Sequence, residues 1–377
     1  MTKKIVKKIF IILGIVILGG LGGIIMDRYL FPYLSMTSLF ANVPFLKKST
    51  EDVTVINRTE QVTVKETTSM ADIANQAASS VVNIIVLPGA GQPTAAVENI
   101  TGEIVTSDGL IMTYAPDLTA NSKYKVLLYD GSVDDATFVG VDAYSNLTFL
   151  KIDASNLPVI SFGDSSSIEP GEKVVAIGNA SGSYLDSYDL GMLTVYMPTF
   201  NLGGGTVSSS EKMEGVYDTD FGNPADYVGG PVVDFSGQTI GILGSINVND
   251  SQEYFVIPAD KVEAVVNKAI DKEIGSDPVL GIYYVPITKT FALANNLNVN
   301  GGAMIYSASG QQGLAIIYDS SAQKAGLKMN DIITAVNGTD IDLSHSLPDL
   351  LYAFKTGDKI KLTVDRNGQM MKIPVQL

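Results

Sequence analysis

Residues 102–113 read GEIVTSDGLIMT, in which two apolar runs flank a Ser-Asp-Gly turn. This pattern predicts a β-hairpin, because the glycine allows the turn and the flanking runs have strand character. Further β-rich segments surround it at short intervals: VVNIIVL at 81–87, YKVLLYDG at 124–131, EKVVAIGN at 172–179 and PVVDFSGQTIGILGSI at 231–246. Many short strands without long helices between them predict a closed barrel or a pair of barrels.

The β-rich pattern begins at about Ala71 and ends at a helical stretch, Pro258–Ile270. A Gly-Ser-Asp-Pro break at 275–278 then leads into a second folded module. We therefore expect a barrel domain over residues 71–275 and a separate α+β domain over residues 276–377.

The N-terminus predicts a membrane anchor. Lysines at positions 3, 4, 7 and 8 precede an uncharged run from Ile9 to Met26. Such a run is close to the shortest that crosses a hydrocarbon core of ~30 Å, and the lysines would keep the N-terminus cytoplasmic. A cleaved signal peptide is the alternative, but no small-x-small site follows Met26. We expect residues 1–30 to form the cytoplasmic tip and transmembrane helix, residues 31–70 to form a stalk, and the remainder to be extracytoplasmic.

Composition narrows the classes of function. The formal net charge of −15 argues against nucleic-acid binding, since there is no basic surface to replace phosphate counterions. The chain has no cysteine and one histidine, which excludes disulfides, thiolate zinc sites and His-rich metal sites. A calcium site of carboxylate oxygens is chemically conceivable, but no loop has the full ligand spacing. We expect no metal and no cofactor.

Several segments resemble the HtrA/DegP family, in which a trypsin-like double β-barrel precedes a PDZ domain. They occur in the family's order: TGE at 101–103, SDGLIMT at 107–113, VGVD at 139–142, LTFLKI at 147–152, VAIGN at 175–179 and GGPVV at 229–233. The resemblance covers most of the chain after residue 71. It implies a mainly β protein that acts on peptides, and assembly as a homo- or hetero-oligomer with HtrA-like subunits.

The catalytic positions depart from that family. By the resemblance, its histidine, aspartate and serine are matched by Pro116, Asn146 and Val228, and a glycine of its oxyanion loop is matched by Asp226. Proline and valine offer no base or nucleophile, and asparagine carries no charge to stabilise an imidazolium. We therefore expect a degenerate triad, no catalytic residues and no enzyme activity, which is to say a pseudoprotease.

Two other polar features are weaker candidates for catalysis. SSSEK at 208–212 contains serines beside a lysine, and His345 is the only imidazole. We interpret the first as a polar surface loop and the second as a solvated residue at a helix start.

The C-terminal module retains the PDZ binding pattern. Val279, Leu280, Gly281 and Ile282 resemble the loop whose backbone N–H groups hold a peptide's terminal carboxylate. Leu347–Phe354 has helical apolar spacing and would form the helix beside the groove, with Leu347 and Leu351 facing it. The alternative for 279–282 is a strand start without a ligand.

Three further details of this module are predicted. Residues 313–317 would form a core strand, residues 303–312 an extra hairpin, and Asn330 a left-handed turn.

Two functions remain open. The first is a membrane-anchored, extracytoplasmic protein that binds peptide C-termini or unfolded segments through its PDZ domain, as an adaptor, chaperone or regulator. The second is an active serine-type endopeptidase of the HtrA family with a rearranged catalytic site.

Overall fold

The computed structural model describes residues 77–87, 98–179, 186–205 and 207–377, together with a few positions between 18 and 30. The expected stalk and most of the expected membrane segment lie outside the described residues. Within the described part of the chain, none of the helices combines the length and the apolar character needed to cross a bilayer. The described residues between 77 and 377 belong to one compact unit.

Six strands close the first barrel. They are β1 (Val81–Leu87), β2 (Glu98–Ile104), β3 (Leu110–Tyr114), β4 (Lys123–Leu127), β5 (Val133–Val141) and β6 (Leu147–Ile152). Their order around the barrel is β1-β2-β3-β6-β5-β4, with every neighbouring pair antiparallel. The predicted hairpin is present, because Glu103 pairs with Met112. Apolar side chains from every second position fill the interior, among them Ile84, Ile111 and Leu150.

Six further strands close the second barrel. They are β7 (Lys173–Gly178), β8 (Ser187–Asn201), β10 (Glu214–Thr219), β11 (Pro231–Val233), β12 (Thr239–Val248) and β13 (Ser251–Pro258), in the order β10-β13-β12-β11-β7-β8. Strand β9 (Ser208–Ser209) lies between β8 and β10 in sequence but belongs to another sheet. The sequence therefore predicted the pair of barrels, and the structure confirms a mainly β fold.

The two barrels share a core, which is extended by a helix. Tyr114 from the first barrel meets Phe255 from the second edge to face, with ring centroids 5.8 Å apart. Helix α1 (Ala259–Ile270) packs against β12 and β13. It forms where predicted because Val262, Val266 and Ala269 make a buried stripe along one face.

The C-terminal domain is a sheet with short helices around it. Its strands are β14 (Tyr283–Pro286), β15 (Ala303–Ile305), β16 (Ile332–Val336), β17 (Thr339–Asp340), β18 (Lys359–Arg366) and β19 (Gln369–Gln376). Its helices are α2 (Lys289–Ala294), α3 (Gln312–Ala315), α4 (Ser321–Lys324) and α5 (Leu347–Tyr352). The sheet order is β19-β18-β16-β15-β14-β9, so the last strand comes from the barrel domain.

Two local expectations for this domain are wrong. Residues 303–305 form the central strand β15 instead of an extra hairpin, and residues 312–315 form helix α3 instead of a core strand. Ala315 and Ile316 are nevertheless buried in the core. A short apolar run fits either a buried strand or a buried helical turn, and periodicity alone does not separate the two. The left-handed backbone expected at Asn330 is present, with φ 68°.

Candidate functional site

The cleft beside the two barrels brings together two of the three positions that the family resemblance matched to a catalytic triad. Pro116 follows β3 and Val228 precedes β11, and both line a cleft of about 650 Å³. Tyr114, Ser245 and other residues of both barrels complete its walls. The chain thus places positions 116 and 228 on opposite barrels around one solvent-accessible space.

Asn146 connects to this cleft through Tyr114. Its Nδ2 donates to the Tyr114 hydroxyl at 3.2 Å, and its backbone is left-handed with φ 64°. Asparagine tolerates this conformation better than most residues. The ammonium of Lys212 donates to Asn146 Oδ1 at 2.6 Å. Burial lowers the pKa of Lys212, although the nearby carboxylate of Asp142 opposes that shift. Sequence reasoning placed Lys212 only in a polar loop and missed this contact.

The loop before Val228 turns tightly. Residues Pro224–Tyr227 form a 3₁₀ turn, in which the Asp226 amide donates to the Asn223 carbonyl at 3.2 Å. Gly229 follows with φ 85°, and a Cβ there would lie 2.4 Å from the Thr101 carbonyl oxygen. Only glycine fits this close approach of the two barrels, so the Gly229-Gly230 pair is required by the fold itself.

The predicted carboxylate loop, residues 279–282, is already in contact with the barrel domain. The Gly281 amide donates to Glu211 Oε1 at 2.8 Å, and the Ile282 amide donates to Ser210 Oγ at 3.0 Å. Gly281 has φ 81°, and a Cβ there would lie 2.4 Å from Ser320 Cβ. Of the N–H groups expected to bind a peptide carboxylate, that of Gly281 therefore donates to a side-chain carboxylate of the same chain, and that of Ile282 donates to a serine hydroxyl.

Strand β9 extends this contact along the edge of the sheet. Ser209 pairs with Tyr283 and Ser208 with Tyr284, both antiparallel, and the Ser210 amide donates to the Ile282 carbonyl at 3.1 Å. Segment 208–211 thus runs beside β14 as an added strand and ends with its carboxylate on loop 279–282. The expectation of a polar surface loop at 208–212 is wrong, because Ser208 and Ser210 are buried against the PDZ-like sheet.

One cavity borders the added strand. It has a volume of about 180 Å³ and is lined by Glu211, Val279 and Leu351 among others. A second cavity of about 10 Å³ is lined by Tyr284 and Leu347 among others, and no residue of segment 208–211 lines it. Leu347 and Leu351 also belong to the core of the C-terminal domain. The structure therefore places Val279 and Leu351 at the cavity beside Glu211, whereas Leu347 lines the second cavity.

An acidic side chain is buried where the groove meets the barrel. Glu214 is 3 % exposed, and burial raises its pKa to about 7, although the nearby Ser208 and Tyr284 hydroxyls lower it. The same burial raises the pKa of the Tyr284 hydroxyl, and the negative charge of Glu214 raises it further. Sequence reasoning missed Glu214 because a single acidic residue at the start of a strand carries no pattern.

Aromatic and charged side chains hold the C-terminal domain against the barrels. The rings of Tyr144 and Tyr352 stack with centroids 4.0 Å apart, and the Tyr352 hydroxyl donates to Asp142 at 2.9 Å. Lys268 lies 3.4 Å above the Tyr352 ring, and Lys261 pairs with Asp349 at 2.7 Å. Because α5 carries Asp349 and Tyr352, this interface fixes one wall of the groove relative to segment 208–211.

Comparisons with known proteins match both halves of this architecture. Residues 100–242 match a family model described as a trypsin-like peptidase domain, and residues 278–377 match a PDZ domain. The chain is 32 % identical over 66 % of its length to a protein of Bacillus subtilis named serine protease Do-like HtrB, and covers 54 % of it. The chain belongs to the HtrA-like family.

Other relatives agree with this HtrA-like assignment. A Chlamydia muridarum protein named probable periplasmic serine endoprotease DegP-like is 29 % identical over 73 % of this chain, with 53 % of the relative covered. The HtrA-like chain spans about half the length of these two relatives. Among solved structures, an HtrA-type protease, AlgW with tripeptide, has a TM-score of 0.63 and 24 % identity over 81 % of this chain and 95 % of its own, which supports the fold.

The expectation that this HtrA-like chain is not an enzyme is wrong. The relatives that it matches are named serine proteases or serine endoproteases. The prediction of inactivity rested on positions 116, 146 and 228 and on Asp226 in the loop before Val228. The cleft region also contains the hydroxyls of Tyr114 and Ser245 and, linked through Asn146, the ammonium of Lys212, whose pKa burial lowers.

Proposed function

We propose that this HtrA-family protein binds the C-termini of peptides or unfolded protein segments in the groove of its PDZ domain. One observation supports the proposal most directly: a carboxylate oxygen of Glu211 lies 2.8 Å from the Gly281 amide, beside a strand that is added antiparallel to β14. Strand addition supplies main-chain hydrogen bonds, and backbone N–H groups in a nest bind a carboxylate. Val279, Leu280, Gly281 and Ile282 would hold the terminus, and Leu347 and Leu351 would border the side-chain pockets.

The proposed setting is extracytoplasmic. Relatives from Chlamydia muridarum and Hahella chejuensis carry the word periplasmic in their names. The lysines before the apolar run 9–26 favour a single-pass protein with its N-terminus in the cytoplasm. Such an anchor would hold the barrels and the PDZ domain near the membrane surface, in a homo- or hetero-oligomer with HtrA-like subunits.

A serine-type endopeptidase with a rearranged site is the second candidate, and the names of the relatives favour it. Its nucleophile would have to come from a residue other than Val228, because valine has no nucleophilic atom. Ser245 lines the same cleft as Val228 and is the serine to test. Lys212, with its lowered pKa, lies one hydrogen bond beyond Asn146.

Peptide binding is tested with arrays of peptides that carry either a free or an amidated C-terminus, probed with the full chain in detergent. We expect binding to the free carboxylate and at least tenfold weaker binding to the amide, on the order of the loss of a charge-assisted hydrogen bond. Equal binding to the two forms would remove the carboxylate loop from the proposed function.

The peptidase candidate is tested on the same preparation with unfolded casein and a fluorophosphonate probe. Cleavage that is lost in Ser245→Ala and retained in Ser236→Ala would establish Ser245 as the nucleophile. Ser236 is a suitable control because it lies in an exposed turn, where its hydroxyl bonds Asp234. Cleavage that both variants retain would exclude Ser245.

A further inference from the structure

We propose that residues 208–211 are a built-in ligand of the PDZ groove, so that the free protein covers its own peptide site until a C-terminus of suitable chemistry displaces the segment. Because self-occupancy presupposes the peptide groove, it rests on the function proposed above. The segment meets both requirements of a PDZ ligand, which are antiparallel pairing with β14 and a carboxylate on loop 279–282.

The side chain of Glu211 takes the place of a terminal carboxylate. Its Oε1 accepts from the Gly281 amide at 2.8 Å and from the Ser210 hydroxyl at 2.6 Å, while Ser210 Oγ accepts from the Ile282 amide at 3.0 Å. The chain continues from Glu211 into Lys212, whereas a true ligand would end at this point. A side-chain carboxylate is therefore used where the main chain cannot supply one.

The built-in ligand fills the groove only in part. The cavity of about 180 Å³ beside Glu211 is lined by Val279, Leu351 and Tyr352 among others, and its surface is more apolar than polar. Segment 208–211 places only serine and glutamate side chains beside it. A C-terminus with an apolar last residue would bury that side chain here and would gain hydrophobic contact that Glu211 lacks.

Burial restricts the upstream positions of a ligand. Ser208, which pairs with Tyr284 on β14, is 5 % exposed, so little room is left there for a larger side chain. Small residues are therefore preferred upstream of the terminus. The ligand class is a free C-terminus with an apolar last residue preceded by small polar residues.

Segment 208–211 makes only a few hydrogen bonds in the groove, but it is part of the same chain, which strengthens its binding there. A segment held within one chain competes at an effective concentration in the millimolar range, so a few hydrogen bonds suffice to keep it bound. If the groove is open in about a tenth of the molecules, the apparent affinity for a peptide falls about tenfold. Replacing Glu211 should therefore raise the apparent affinity for a peptide by about the same tenfold factor.

The first test compares Glu211→Ala with Glu263→Ala, which removes an exposed acidic residue on α1. The probe is a fluorescein-labelled hexapeptide, Thr-Val-Ser-Ser-Ser-Val, with a free carboxylate, and binding to the full chain in detergent is measured by anisotropy. We expect Glu211→Ala to bind about tenfold more tightly than the wild type and Glu263→Ala to bind equally. Equal or weaker binding by Glu211→Ala would overturn the self-ligand.

The second test locks the segment in place. Ser209 lies directly opposite Tyr283, and their neighbours Ser210 and Ile282 share the main-chain hydrogen bond, so 209 and 283 form a close, non-hydrogen-bonded pair that suits a disulfide. The chain has no other cysteine to interfere. The oxidised Ser209→Cys, Tyr283→Cys variant should bind the probe at least tenfold more weakly than its reduced form. Equal binding in both redox states would contradict displacement.

Hydrogen exchange tests whether segment 208–211 occupies the groove, independently of whether the protein binds peptides. If no variant binds the peptide, the function proposed above fails, yet the amides of Gly281 and Ile282 still report on the segment. Faster exchange at these amides in Glu211→Ala than in Glu263→Ala supports self-occupancy. Unchanged exchange refutes it.

Discussion

Replacing Glu103 with glutamine should remove a loss of stability that the wild type suffers as pH rises. Glu103 lies on β2, is 1 % exposed, and faces the second barrel. Its Oε1 accepts from the Ser80 hydroxyl at 3.3 Å and from the Thr239 hydroxyl at 3.4 Å. Among the described residues, no hydrogen-bond partner reaches its Oε2. Burial raises the pKa of this carboxyl from 4.5 to about 8.

The magnitude follows from the difference between folded and unfolded states. At pH 7 the folded protein keeps the Glu103 proton, whereas the unfolded chain has released it. Each pH unit above 4.5 lowers the free energy of unfolding by about 1.4 kcal/mol, which gives about 3 kcal/mol at pH 7. Stability from this group is complete below pH 4.5 and is lost as pH rises toward about 8. Glutamine has the same shape and does not titrate.

The assay is urea denaturation of the full chain at several pH values from about 6 to 9, followed by far-UV circular dichroism because the chain has no tryptophan. As pH rises over this range, the free energy of unfolding of the wild type should fall by about 3 kcal/mol more than that of Glu103→Gln. Glu263→Gln, at an exposed site, should follow the wild type. Parallel pH profiles for the wild type and Glu103→Gln would refute a protonated Glu103 in the folded protein.

Three further predictions concern the PDZ domain and its docking. Arg366→Ala should destabilise the domain by about 3 kcal/mol, measured as a lower Tm, because it leaves the buried carboxylate of Asp331 without its ion-pair partner. Asp331 is 1 % exposed and accepts two hydrogen bonds from Arg366, at 2.6 and 2.7 Å. Tyr352→Phe removes the hydroxyl that donates to Asp142, so it should lower the free energy of unfolding by about 2 kcal/mol and speed proteolysis within residues 271–278. An unchanged rate of cleavage there would argue against the Tyr352–Asp142 hydrogen bond. Gly281→Ala should abolish the preference for free over amidated C-termini on the peptide array, given its φ of 81°.

The fold could be predicted where local pattern and tertiary role agree. A helical stretch was predicted at 258–270, where helix α1 forms, and the 102–113 hairpin was predicted from its turn. The strand expected at 313–317 was wrong, because burial of Ala315 and Ile316 is compatible with a helical turn as well. Sequence can indicate which residues are buried in such a short run but not the backbone that buries them.

The site was less predictable than the fold because the residues that form it lie far apart in the sequence. Segment 208–211 is polar, and in isolation it resembles a loop. Its partners Gly281 and Ile282 lie about seventy positions away, and hydrogen bonds between backbone amides and short polar side chains leave no periodic signal. Lys212 and Asn146 meet in the same way, 66 positions apart. Contacts of this kind arise only after the distant segments that carry them have folded and packed together.

Docking and self-occupancy depend on the same geometry. Strand β9 can pair with β14 only when the open edge of the PDZ sheet faces the barrel, and the Tyr144–Tyr352 stack with the Lys261–Asp349 pair holds it there. Buried polar contacts of this type contribute little net stability, but they select one arrangement because any other leaves charges unpaired. The polar interface therefore specifies orientation, and orientation in turn determines which segment of the chain reaches the carboxylate loop.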